Sequence, residues 1–206
     1  SARPYLENQV SICLSTDLPL YYWAHRFSAS GRLADYRYLL GKAKRVLLDS
    51  AIAPADALTY PWPNPSATRD LVYCRLLPVR QSIGQFLSSY APAALVEGLR
   101  VVTVAHGETL AAEAWVALAW LRRRFAASGV QSDDLDFHTS LTVTEGGENL
   151  AVTFDYGGDE KYFRWRGNLA TGQAQFDADF GGGRTNLSAA VSLLSAEGAL
   201  SEAMFF

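Results

Sequence analysis

The chain has 206 residues, 49% of them hydrophobic and 19% charged, a balance that supports a buried core and excludes disorder as the dominant state. A chain of this size buries about 70% of its unfolded surface and needs no disulfide or metal staple. Its formal charge of −3 excludes a sequence-independent attraction to nucleic acid or to an anionic membrane.

Residues 5–15 read as the end of a helix, broken by Thr16-Asp17-Leu18-Pro19, because proline lacks the amide hydrogen and restrains the residue before it. The aromatic run over 20–24 reads as a buried strand. From Ser30 the spacing turns helical, with Leu33, Tyr36 or Arg37, and Leu40 recurring up to Lys44, and a second strand follows over 45–49. Pro54, Pro61, Pro63 and Pro65 make 53–68 a surface connection with local polyproline character. Residues 70–89 read as helix interrupted at Pro78, which suits the first turn of a new helix.

A third strand is expected over 101–105, then a helix over 108–125 whose Leu110, Ala114, Leu118, Leu121 and Phe125 share one face. Glu108 stands near its positive end, and Arg122, Arg123 and Arg124 stand near its negative end. After Gly129 the period changes to two, over 137–144, 150–156, 161–167 and 173–180. The turn residues Glu145-Gly146-Gly147, Gly157-Gly158-Asp159 and Thr171-Gly172 join these runs into an antiparallel meander. Thr185-Asn186 is expected to cap a last helix through Ser195, ahead of an apolar terminal segment over 199–206.

The fold class is therefore α/β: a three-stranded mostly parallel sheet with flanking helices, continued by a four-stranded antiparallel meander and a terminal helix. The short, only moderately polar connection over 126–136 argues for one structural unit over 1–206, with an α/β part over 16–128 and the meander and helix over 129–206.

Ligands in an open α/β sheet collect beyond the carboxyl ends of its strands. The three expected strands deliver His25 and Arg26, then Asp49 and Ser50, then His106, Gly107 and Glu108. Serine, aspartate and histidine on neighbouring strand ends invite a hydrolase reading. Ser50 lacks the G-x-S-x-G elbow that exposes a nucleophile, and Asp and Ser at a strand end commonly turn onto their own backbone.

His25, His106 and His138 show no ligand spacing, so no metal and no cofactor is expected. Phe180-Gly181-Gly182-Gly183-Arg184-Thr185-Asn186 resembles an anion cradle before a helix but lacks the P-loop lysine. Arg75 and Arg80 flank Pro78, and a planar guanidinium there needs carboxylate or carbonyl partners, for which Asp49 and Asp70 are candidates. The candidate ligand or partner-binding cluster is His25, Asp49, Ser50, Asp70, Arg75, Arg80 and His106. Tyr21, Tyr22, Trp23, Trp115, Trp120 and Trp165 read mostly as core, and any exposed pair suits a partner interface.

Cys13 and Cys74, without a CxxC pair, read as small core residues in a reducing compartment. No run reaches the roughly 18 to 20 apolar residues of a membrane helix, and no secretory leader pattern opens the sequence. A cytoplasmic protein is expected. The first residue is Ser1 and the only methionine is Met204, so the sequence reads as a piece of a longer one.

Several blocks resemble a known family. Asp17-Leu18-Pro19 with Trp23, Val46-Leu47-Leu48-Asp49-Ser50, Asp70-Leu71 with Tyr73, Arg75, Pro78 and Arg80, and Ala119-Trp120-Leu121 with Arg124 come in the order and spacing of the glucose-6-phosphate dehydrogenase assembly protein family, the OpcA type. The family tends to carry a second Trp beside the first, a Trp at the position of Tyr73 and another at that of Val79.

The resemblance implies a non-catalytic protein that binds glucose-6-phosphate dehydrogenase, promotes its assembly and activates it in the oxidative pentose phosphate pathway. No active site is then required, and the charge balance and the lack of a long apolar run give no expectation of a nucleic-acid or membrane partner. The second reading, from the residues alone, is a sugar-phosphate or small-anion binding module, a degenerate enzyme using the strand-end crevice.

Overall fold

The computed structural model describes residues 3–15, 18–25, 27–129, 135–141, 149–158 and 160–206. Thr16-Asp17, Arg26, the Glu145-Gly146-Gly147 turn and Asp159 lie outside the described residues. The protein is α/β, with a three-stranded parallel sheet, a six-stranded mixed sheet and helices that include a carboxyl-terminal one. It falls into two compact units, Ser1–Cys74 with Ser195–Phe206, and Arg75–Leu194. The division lies at these junctions and not at the connection over 126–136.

The first unit opens with helix α1 (Arg3–Ser15), followed by strand β1 (Tyr21–Ala24), a 3-10 segment (Ser30–Tyr36), α2 (Arg37–Lys42) and β2 (Arg45–Leu48). The proline-rich stretch then forms two short 3-10 turns before β3 (Thr68–Asp70) and the start of α3 (Leu71–Arg75). The strands pair in parallel in the order β1-β2-β3, with Ala24, Leu48 and Asp70 in one cross-strand row.

Central β2 is apolar on both faces, as a strand covered from both sides must be, and Val46, Leu47 and Leu48 are all buried. Val46 joins Ala24, Leu33, Leu40 and Ala43 in a core that Tyr60 and Trp62 help close. The indole Nε1 of Trp62 donates to the Ala57 carbonyl at 3.1 Å, so the proline-rich stretch folds inward here instead of running over the surface. Helix α7 (Ala196–Phe205) packs against β2 with Ala199 and Ala203 buried, and the Ser195 side chain caps it by accepting from the Gly198 amide.

The second unit contains α4 (Leu77–Leu87), α5 (Pro92–Val96), β4 (Val101–His106), α6 (Ala111–Ala127), β5 (Asp136–Leu141), β6 (Asn149–Asp155), β7 (Tyr162–Asn168), β8 (Gln173–Asp179) and β9 (Thr185–Ala190). Pro78 stands in the first turn of α4, where a missing amide hydrogen costs no helical bond. The sheet order is β5-β4-β6-β7-β8-β9. The β4–β5 pair is parallel and joined by the crossover helix α6, which packs on both strands, while the remaining pairs are antiparallel.

Alternation places Val102, Val104, Leu150, Val152, Phe154, Phe163, Trp165 and Phe176 on the covered face. Phe86 of α4 stacks on Phe176 at 4.4 Å between ring centroids, and Phe125 of α6 meets Phe154 edge-on at 5.2 Å.

Three expected elements differ. The third strand of the parallel sheet is β3, and the run starting at Val101 belongs to the six-stranded sheet. The strand starting at Asp136 pairs in parallel with β4, so the four-stranded antiparallel meander runs from β6 to β9. Residues 185–190, expected as helix, form edge strand β9, whose backbone is held by β8. No helix among the described residues is long and apolar enough to cross a membrane.

Gly84 sits within α4 with open space where a Cβ would stand. Glycine in a helix interior costs roughly 0.5–1 kcal/mol relative to alanine. Gly84→Ala is therefore expected to stabilise the chain by about that amount, read as a higher urea midpoint at unchanged slope.

Candidate functional site

The strand ends of the parallel sheet bring together three of the sequence-nominated residues. β3 ends on Asp70, and the chain leaving β2 passes through Asp49 and Ser50. Ser50 donates twice to the Asp70 carboxylate, from its amide at 3.0 Å and its hydroxyl at 2.8 Å, and the Val72 amide donates to the same carboxylate at 3.1 Å. Asp49 turns onto its own backbone and accepts from the Ala51 amide at 3.1 Å.

Burial holds the Asp70 carboxyl above the ordinary aspartate range, and the neighbouring Asp49 charge acts in the same direction. The three donated hydrogen bonds oppose both. This knot ties the end of β2 to the end of β3. A serine nucleophile needs its hydroxyl on an imidazole, and the Ser50 hydroxyl proton lies on a carboxylate instead.

His25 follows β1 and is exposed. Its ring packs on Trp23 at 5.2 Å, and Trp23 itself is 52% exposed. Trp115 is also exposed, so two of the tryptophans read as core stand in solvent, while Trp120 and Trp165 are buried.

Arg75, Arg80 and His106 belong to the second unit. Arg75 pairs with Glu113 of α6, at 3.1 Å from Nη2 to Oε1, a carboxylate that was not among the expected partners. Glu113 is buried, a charged side chain in the helical repeat of Leu110, Ala117 and Trp120. His106 ends β4, buried, with Nδ1 2.8 Å from the Gly107 carbonyl oxygen. It borders the Ala105 row of the six-stranded sheet and is no part of a parallel rim with β1 and β2.

Arg80 lies on α4 and lines a cleft of about 540 Å3 between α4, the α5 region and α6. A broader depression of about 1010 Å3 lies on the polar face of the sheet, over Ala105, Ala151, Arg166, Gln175 and Ser188, which form one cross-strand row.

The glycine-rich stretch is already occupied by the chain itself. The amides of Gly181 and Gly183 donate to Asp179 Oδ1 at 2.8 and 3.2 Å, and a strand follows instead of a helix. Arg184 grips Asp177 through both carboxylate oxygens, holding that carboxyl below the ordinary range.

No group of three or more metal-ligating side chains gathers among the described residues. Cys74 is buried as expected of a core thiol, and Cys13 is exposed on α1. Sequence reasoning did not nominate Glu113 or Trp23 as site residues. An arginine beside a helix-starting proline was the only sign of a buried carboxylate partner. No family model, curated protein or solved structure matches the chain.

Proposed function

We propose that this protein is a non-catalytic assembly factor and allosteric activator of glucose-6-phosphate dehydrogenase, acting in the cytoplasm by protein binding. The ordered blocks between positions 17 and 124 support the reading. Most of their described residues serve the fold: Val46, Leu47 and Leu48 fill the first core, Ser50 and Asp70 tie two strands, and Arg75 pairs with Glu113.

The observation that carries the proposal is Trp23, a block residue that stands 52% exposed on β1 with the His25 ring against it. A half-exposed tryptophan backed by a second ring is the kind of anchor that contributes most to protein interfaces. Activation then means that the protein binds one state of the enzyme better than another, since equal affinity shifts nothing.

The small-anion alternative has less support at these strand ends, because Asp49 and Asp70 stand where an anion would dock. Adding the full chain to the cognate dehydrogenase is expected to change its activity and its sedimentation. Trp23→Ala is expected to weaken the effect by about tenfold or more while leaving the melting temperature unchanged. No shift in either property at micromolar protein, or full effect from the Trp23→Ala variant, rejects the reading.

A further inference from the structure

Strand β9 stands at one end of the six-stranded sheet and pairs with β8 alone. The Val191 amide donates to the Gly172 carbonyl at 3.0 Å in the same register, and antiparallel pairs alternate, so Ala189, Leu187 and Thr185 turn their main-chain groups to β8. The amides and carbonyls of Asn186, Ser188 and Ala190 therefore point away from the sheet, and none of them bonds to another backbone group among the described residues.

An open edge of this kind is ordinarily guarded by lysine, proline, a bulge or a covering segment. The run Thr185-Asn186-Leu187-Ser188-Ala189-Ala190 is uncharged, its register with β8 is unbroken, and Asn186 and Ser188 are exposed. Leu187 is 50% exposed although its cross-strand neighbour Phe176 is buried. The opposite edge differs, because β5 carries the exposed Asp136 and His138.

The side chains of β9 match a second copy of the same strand. With a two-fold axis at Leu187, Asn186 and the partner's Ser188 exchange both main-chain hydrogen bonds. Leu187 then meets the partner's Leu187 at a non-hydrogen-bonded position, where antiparallel side chains come closest. Asn186 accepts from Gln175 through Oδ1 at 3.3 Å, which leaves its own amide hydrogens for the hydroxyl opposite. Arg184, one residue before the strand, is held by Asp177, and the axis puts its two copies at opposite ends of the pair, about 20 Å apart. No like charges face each other along the pair.

We propose that β9 pairs antiparallel with β9 of a second copy of this chain, joining two six-stranded sheets into one across that axis. The contact is isologous and closes, because it consumes the same edge in both copies and leaves the charged β5 edges outermost. It rests on the second unit's sheet alone, so it holds whether or not the protein acts on a dehydrogenase.

The test is sedimentation equilibrium of the full chain over a micromolar to millimolar series, where a monomer–dimer equilibrium is expected. Leu187→Lys and Leu187→Glu each set like charges against one another at the axis, and each is expected to weaken the dimer at least about tenfold. Both are expected to melt close to the wild type, because the position is half-exposed. An equimolar mixture of the two is expected to recover the dimer with lysine facing glutamate, which a merely structural effect of either substitution does not produce.

Ser188→Pro removes an outward amide hydrogen and no bond to β8, and is expected to be monomeric while folded. The charge pair decides the matter if the proline variant does not fold. Four results overturn the proposal: a wild type that stays monomeric throughout, with or without an unrelated extended peptide bound to it; a charged variant that dimerises like the wild type; a mixture that stays monomeric; or a dimer kept by folded Ser188→Pro protein.

Discussion

Arg75→Ala is expected to lower the free energy of unfolding by about 3 kcal/mol, the low end of the cost of breaking a buried ion pair. The geometry sets that size. The Glu113 side chain is only 8% exposed and its oxygen lies 3.1 Å from the Arg75 guanidinium, which is itself 23% exposed. Removing arginine leaves a carboxylate among the buried side chains of α6 without the guanidinium it pairs with, and water reaches it poorly.

The partial exposure of Arg75 keeps the loss near the lower bound, since a pair that solvent touches is partly screened. The Arg75 carbonyl still accepts from the Leu194 amide in the alanine variant, so the backbone tie survives and the change isolates the side chain. Glu113→Gln is expected to cost less, because the amide still accepts a hydrogen bond and the arginine left behind can hydrate. Urea denaturation of both variants checks the ranking, and a glutamine variant less stable than the alanine variant contradicts the account.

Much of the scaffold was legible because burial writes a period into the sequence. β2, β4, β6, β7 and β8 are continuous or alternating apolar runs, and each lies in a sheet interior where those side chains are buried. The two missed strands lack that mark for different reasons. β3 has three residues, follows four prolines and is half-buried throughout, so it carries neither length nor alternation. β9 is an edge strand with Asn186, Leu187 and Ser188 all exposed, and its Thr185-Asn186 start imitates a helix cap; pairing with β8 overrides that local preference.

The candidate cluster was half legible. Ser50 and Asp70 do meet, because both leave neighbouring parallel strands at the same end. His106 was grouped with them on the premise that the Val101 strand joined that sheet, and the sheet order removes the premise. Glu113 stayed hidden because a glutamate reads as surface, although it stands three residues after Leu110 and four before Ala117 on the buried side of α6. The glycine run misled in a different way: flexible amides do collect on an anion, but that anion is the chain's own Asp179.

Asp70→Ala is expected to destabilise the chain by about 2 kcal/mol at neutral pH, and the loss should grow as the solution is made acidic. Three donors, the Ser50 amide and hydroxyl and the Val72 amide, lose their acceptor together, and unsatisfied part-buried donors cost about 1–3 kcal/mol each. Relief of a costly charge offsets part of this at pH 7.

The pH dependence follows from the raised carboxyl. Burial, with the Asp49 charge in support, holds the folded-state pKa of Asp70 above its unfolded value, so the folded chain keeps this proton to higher pH than the unfolded chain does. The contribution of that proton to stability is complete below the unfolded aspartate pKa of about 3.9 and is lost as pH rises through the folded value. The wild type should therefore gain on the alanine variant between neutral pH and about pH 4. Parallel urea titrations at several pH values measure the gap. A gap that narrows on acidification means that hydrogen bonding to the ionised carboxylate outweighs its burial, and the knot at the strand ends would then be an anchored charge instead of a strained one.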